Sequence, residues 1–208
     1  MDLNKKMKIN NVGAIKVAQK TGKEQFTYDS KPVNANISDF WKWFASNLVT
    51  NSLRGVLAEF IVALSIGKTK DIRLEWDAVD LITDSGIGIE VKSSAYIQSW
   101  AQESYSKISF GIQQTKGWDA KTNIYTGELK RYSDVYVFCV LYEKDQDKIN
   151  PLDLDQWDFY VLPTKVLDEG LGNQATLTLD SLLKRGPVKT DFFHLKNVIE
   201  QSVKTSDS

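Results

Sequence analysis

The chain holds one cysteine and one histidine among 208 residues. Cys139 alone excludes an internal disulfide and any multi-cysteine zinc site. His194 alone excludes a His–His pair and argues against a Ser-His-Asp triad or a histidine-rich zinc centre. No apolar run approaches the length needed to cross a bilayer. The opening MDLNKKMKIN contains no hydrophobic signal segment, so a cytoplasmic setting is expected, with no membrane partner. Neither sign of charge is in excess: 26 Lys and Arg face 27 Asp and Glu. Proteins that live on the phosphate charge of DNA are often basic, so this balance counts mildly against nucleic acid. A cleft can still be locally positive while metal-holding carboxylates pull the total down. Chemistry on this chain must therefore rely on carboxylates, lysine and metal.

The composition is that of a soluble globular protein, and the length suits one domain with a real core. Residues 1–35 are rich in Lys, Asn, Gly and Gln and read as an N-terminal arm, which Val12, Ile15 and Val17 could dock. Residues 36–208 read as a single domain. Ser38 is a candidate helix N-cap, followed by Phe40, Trp41, Phe44 and Leu48 at helical spacing. Ser52 is the candidate cap of a second helix, with Leu53, Val56, Leu57, Phe60, Ile61 and Leu64 on one stripe and Gly67 to end it. Glu59 sits in the middle of that apolar helix.

The period then changes from helical to alternating. Arg73 to Thr83 reads as a strand, Asp84-Ser85-Gly86 as a turn, and Ile87 to Ser94 as a second strand. Lys107 to Gln113 and Ser133 to Tyr142 follow as strands. The latter is apolar on both faces and so expected at the centre of a sheet. Trp157 to Leu162 is a further strand ending at Pro163, and residues 164–206 read mostly as helix, broken near Gly170-Leu171-Gly172 and Gly186-Pro187. The order implies an α/β fold with a central mixed β-sheet flanked by helices.

Glu90 and Lys92 lie two apart on a strand, so their side chains leave the same face, while Ile89 and Val91 point into a core. The turn decides which aspartate joins them. With a three-residue loop and Gly86 left-handed, Thr83 pairs with Ile87 and Asp80 stands opposite Glu90. Such partners have Cβ atoms roughly 4.5–5.5 Å apart, close enough to share a divalent cation. With a two-residue loop, Asp80 turns to the other face. Asp77 then shares the Glu90 face, but on the order of 13 Å along the strand. Asp80 is the preferred ligand and Asp77 the second choice. Hard oxygen ligands of this kind suit Mg²⁺, and Glu59 could reach in from the helix.

Asp80, then Glu90-Val91-Lys92 after a short turn, with Glu59 on a preceding helix, resembles the PD-(D/E)XK nuclease superfamily, which includes restriction endonucleases and Holliday-junction resolvases. The resemblance covers roughly residues 52–142. It extends to restriction-endonuclease-like bacterial proteins through Trp76-Asp77, Asp80-Leu81, Glu90-Val91-Lys92-Ser93, Ala95-Tyr96, Gln98 and Trp100. Asp134 to Phe138, Pro151-Leu152-Asp153 and Gln156-Trp157 fit that group too. The resemblance implies a restriction-endonuclease-like core and a Mg²⁺-dependent endonuclease (Mn²⁺ substituting) acting on DNA, in restriction or defence. Asp80, Glu90 and Glu59, with Asp77 in reserve, would hold the metal, and Lys92 would serve the attacking water or the transition state. Cutting both strands would call for two sites, hence a homodimer. One departure is that Val79, not proline, precedes Asp80.

Gln98, Trp100 and Lys116 are candidate nucleic-acid contacts, by amide readout, stacking and charge. Gln102, Gln113, Gln114, Tyr96, Tyr105 and Trp118 belong to the same group, as do Lys107, Lys121, Lys130 and Arg131. The competing assignments are a nuclease fold without turnover that binds nucleic acid or a protein, and an enzyme for RNA or branched DNA.

Overall fold

The computed structural model describes residues 15–70, 72–73, 78–119 and 124–204. Asp77, Lys121 and Val12 lie outside them, as does the Trp118 side chain. The first elements are strands β1 (Gln25–Tyr28) and β2 (Lys31–Asn36), then helices α1 (Ile37–Ala45) and α2 (Asn51–Ser65). Next come β3 (Leu81–Ile82), β4 (Gly88–Ala95), β5 (Ser109–Gly111), β6 (Thr115–Asp119), β7 (Ile124–Lys130) and β8 (Val135–Leu141). A 3₁₀ turn at Leu154–Gln156 leads into β9 (Trp157–Pro163). The chain finishes with α3 (Thr164–Leu171), β10 (Thr176–Thr178), α4 (Leu179–Leu183), β11 (Val188–Thr190) and α5 (Leu195–Lys204).

Five strands form the main sheet in the order β11-β9-β8-β4-β3. It is mixed: β4 runs parallel to β8, and the other neighbours pair antiparallel. All seven residues of β8 are buried, as its apolar run requires of a central strand. Both faces of the sheet are covered. Ile89, Val91, Val135, Val137, Cys139, Phe159 and Val161 meet Ala58, Ile61 and Val62 of α2 and Leu195 and Ile199 of α5. On the other face Tyr136, Phe138, Val140 and Leu162 meet Phe110, Leu167, Leu177 and Leu182. Burial raises the Cys139 thiol well above its ordinary range, so it serves as core filling. No helix of the described residues is long and apolar enough to cross a membrane.

The helix starts differ from the expected ones by two residues each. Asn36 caps α1 in a reciprocal box with Asp39, and Thr50 caps α2. The long strand expected from Arg73 is ordered as a strand only at Leu81–Ile82 among the described residues. The C-terminal third is not mostly helical, because β10 and β11 interrupt it. Before α1, residues 25–36 form a hairpin whose two-residue loop, Asp29-Ser30, holds both residues at positive φ.

Phe159→Ala, which empties a fully buried site against β8, is expected to cost about 3–5 kcal/mol in denaturant unfolding. Trp43→Ala on exposed α1 is expected to change stability by less than about 0.5 kcal/mol. Equal costs at the two sites would refute this placement of the core.

Candidate active site

Thr83 donates its N–H to the Ile87 carbonyl at 3.0 Å, Gly86 donates back to Thr83, and Gly86 has φ +87°. The loop is therefore the three-residue form, with Leu81 opposite Ile89 and Ile82 opposite Gly88. Asp80 follows at the end of the edge strand. Its N–H reaches the Ile89 carbonyl at 3.0 Å, and its carboxylate Oδ2 accepts the Val91 N–H at 2.7 Å. A side-chain oxygen thus stands in for the next backbone carbonyl of the ladder and fixes the acid beside Glu90. Among the described residues no donor meets Oδ1.

Gly88 opens β4 in a tight place. Its N–H donates to Asp134 Oδ2 at 2.7 Å, and a Cβ there would come within 3.2 Å of a Val79 methyl. The hydrogen bond ties the start of β4 to the residue that precedes β8.

Glu90 and Lys92 leave β4 on the same face, half-buried, with Lys92 Nζ 2.5 Å from Glu90 Oε1. The parallel register puts Glu90 beside Tyr136 and Lys92 beside Phe138, whose rings stack with centroids 5.6 Å apart. Tyr136 was not a sequence candidate. Burial, and then the charge of Glu90, pushes its phenol above the ordinary range, so it stays protonated as the floor of the site.

Glu59 projects from α2, the helix on the sheet's opposite face. Arg73 grips it with a two-pronged contact, Nε to Oε2 and Nη2 to Oε1, the second at 3.0 Å. Glu59 and Asp80 also line one open cavity of about 730 Å³.

Burial first, then the charge of Glu90 and more weakly that of Glu59, raises the Asp80 carboxyl to about 7. The Val91 N–H and Lys92 pull the other way without offsetting this. Asp80 thus feels the charges of Glu90, Glu59 and Lys92, while the cavity that it shares with Glu59 is lined by neither Glu90 nor Lys92. Among the described residues no three His, Cys, Asp or Glu side chains form a ready-made metal cage. Glu90 leans on Lys92 and Glu59 on Arg73 instead. The donor chemistry nonetheless fits a hard divalent ion. Asp80 has a carboxylate oxygen that no donor among the described residues meets, and its ionised form is repelled by two neighbouring acids that a cation would quiet.

A model of the family described as bacteriophage T4 endonuclease IV matches residues 41–177, well over half of the chain. The chain belongs to that family. No curated protein matches it. For this endonuclease IV family member, the matched stretch contains Glu59, Asp80, Glu90, Lys92 and Tyr136, and it leaves out the β1–β2 hairpin and α5. Membership supports a DNA endonuclease.

The nucleic-acid candidates fall in different places. Gln98 is buried, and its amide is used inside the fold: Oε1 accepts from Arg54 and Nε2 donates to the Ala95 carbonyl. Arg54 itself is buried, and burial lowers its guanidinium to about 10, still a cation at neutral pH. Gln102 orders the same loop, accepting from the Gln98 N–H at 2.6 Å. Arg131 is spent on interior carbonyls and Asp168. Trp100 is exposed, and Lys116 is exposed on the β6–β7 hairpin, which is separate from the main sheet. His194 pairs with Asp191 at the surface.

A carboxyl held above its ordinary 3.8 binds its proton more tightly in the folded state. Folded stability therefore falls as pH rises from near 4 to about 7. Asp80→Asn keeps an oxygen for the Val91 N–H and cannot ionise. Its melting temperature is expected to exceed wild type at pH 8, with the lead closing as pH falls toward 4. A lead independent of pH would show that ionisation of Asp80 is not the cause.

Proposed function

We propose that the chain is a Mg²⁺-dependent DNA endonuclease of the PD-(D/E)XK type, with its active site at Asp80, Glu90 and Lys92 and support from Glu59. The observation that carries this is the Asp80 carboxylate, held on the Val91 N–H at the end of the edge strand and close enough to Glu90 to feel its charge, with Lys92 in contact with Glu90. Asp80 and Glu90, with Glu59 behind them, would hold the cation. When bound, Mg²⁺ or Mn²⁺ would polarise the phosphate and acidify a coordinated water.

The protein's own groups do the rest. The Val91 N–H fixes the direction of the Asp80 carboxylate. Lys92 keeps an ammonium beside Glu90, where it can hold the attacking water or meet charge growing on the phosphate. Tyr136 and Phe138 wall the site from the core side. Asp77 remains the alternative carboxylate, outside the described residues. Trp100 and Lys116 are the exposed groups we assign to DNA contact.

Cutting both strands calls for a second site, which we assign to a second copy. Restriction of foreign DNA is the setting we attach to the activity, on the sequence resemblance alone. A second reading is a binding module without turnover. It draws on the two ion pairs that occupy Glu59 and Glu90.

Plasmid and linear DNA incubated with Mg²⁺ or Mn²⁺ should be cut by wild type and spared in EDTA. Glu90→Ala and Lys92→Ala should each lower the rate at least about 100-fold. Folded wild type that binds DNA but cuts nothing with either metal would favour the binding module.

A further inference from the structure

Arg73 has no place in the sequence motif, yet it makes the most complete contact with any of the four site residues. Its planar fork meets both oxygens of Glu59. Two-pronged contacts of this kind are stronger and more directional than a lysine's point contact. The Glu59 side chain is only 16% exposed and that of Arg73 40%, so the guanidinium covers the carboxylate from the solvent side. Both residues line the open cavity that Asp80 also lines. Glu59 is close enough to Asp80 to raise its carboxyl, whereas the cation acting on Asp80 is Lys92. Among the four site residues, Arg73 contacts Glu59.

We propose that Arg73 is a positioning residue that competes with the divalent cation for Glu59. It neutralises and orients Glu59 in the metal-free protein, and it yields one or both oxygens when the metal arrives. The affinity for metal is then set by the carboxylates less the cost of displacing the guanidinium. The reading rests on the metal site proposed above. Its consequence runs opposite to intuition: deleting a residue from the site should make the metal bind more tightly.

The test is Mn²⁺ binding to the full chain without DNA, followed by calorimetry. Arg73→Ala should tighten binding about tenfold, equivalent to about 1.4 kcal/mol. Arg73→Lys keeps the charge without the fork and should fall between the two. In a Glu59→Gln background the Arg73→Ala gain should vanish, because the competition has lost its object. Circular dichroism and melting would verify that each variant is folded. Should Arg73→Ala disturb folding, Arg73→Lys and Arg73→Gln carry the same comparison. Unchanged or weaker Mn²⁺ affinity in folded Arg73 variants, with wild type binding normally, would overturn the role of Arg73 and leave the metal site standing. No Mn²⁺ binding by wild type or any variant would overturn both.

Discussion

Strand β8 must be kept from water over its whole length, and the rest of the molecule is arranged to do so. Seven consecutive buried residues leave no face for solvent. One neighbour, β4, pairs in parallel and brings Glu90 and Lys92; the other, β9, pairs antiparallel. Helices α2 and α5 close one face, and α3, α4 and the short β5–β10 pair close the other. The polar site exists where this covering runs out, at the β3 edge. There Asp80 completes with a side chain the ladder that the backbone no longer supplies. The acid's orientation is thus a by-product of how the sheet ends.

That position carries an electrostatic cost. Burial and two acidic neighbours oppose the ionised form of Asp80, and Lys92 compensates only in part. A fold selected for stability alone would place an amide or an apolar residue there. Retaining three carboxylates in so small a region fits the usual trade of stability for function.

Local features were legible in the sequence. Gly86 at a left-handed position matches the three-residue loop, and that loop sets Leu81 opposite Ile89 with Asp80 next to it. The apolar run of 135–141 announced a central strand. The helix caps were displaced because Asn36 and Thr50 could use partners three residues on, Asp39 and the Leu53 N–H, that the hydrophobic stripe does not reveal. The β1–β2 hairpin escaped notice because Asp29-Ser30 is an uncommon pair for two positive φ values, and its short strands bury no face. Three-residue strands such as β10 and β11 are too short to show a period. Arg73, Tyr136 and the interior use of Gln98 are tertiary facts. Each depends on a partner distant in sequence, and no spacing near the residue encodes it.

The parallel rung between β4 and β8 also has a consequence for the order of events during synthesis. Glu59, Asp80, Glu90 and Lys92 all leave the ribosome before Val135 does. Parallel partners meet only through a long crossover, and such non-local pairings form late. Until β8 is made and seated, Glu90 has no Tyr136 beside it, and Gly88 has no Asp134 to accept its N–H. A partly made chain therefore carries every acidic group of the site without its geometry. The timing of translation itself delays assembly of the site until the sheet that confines it is in place.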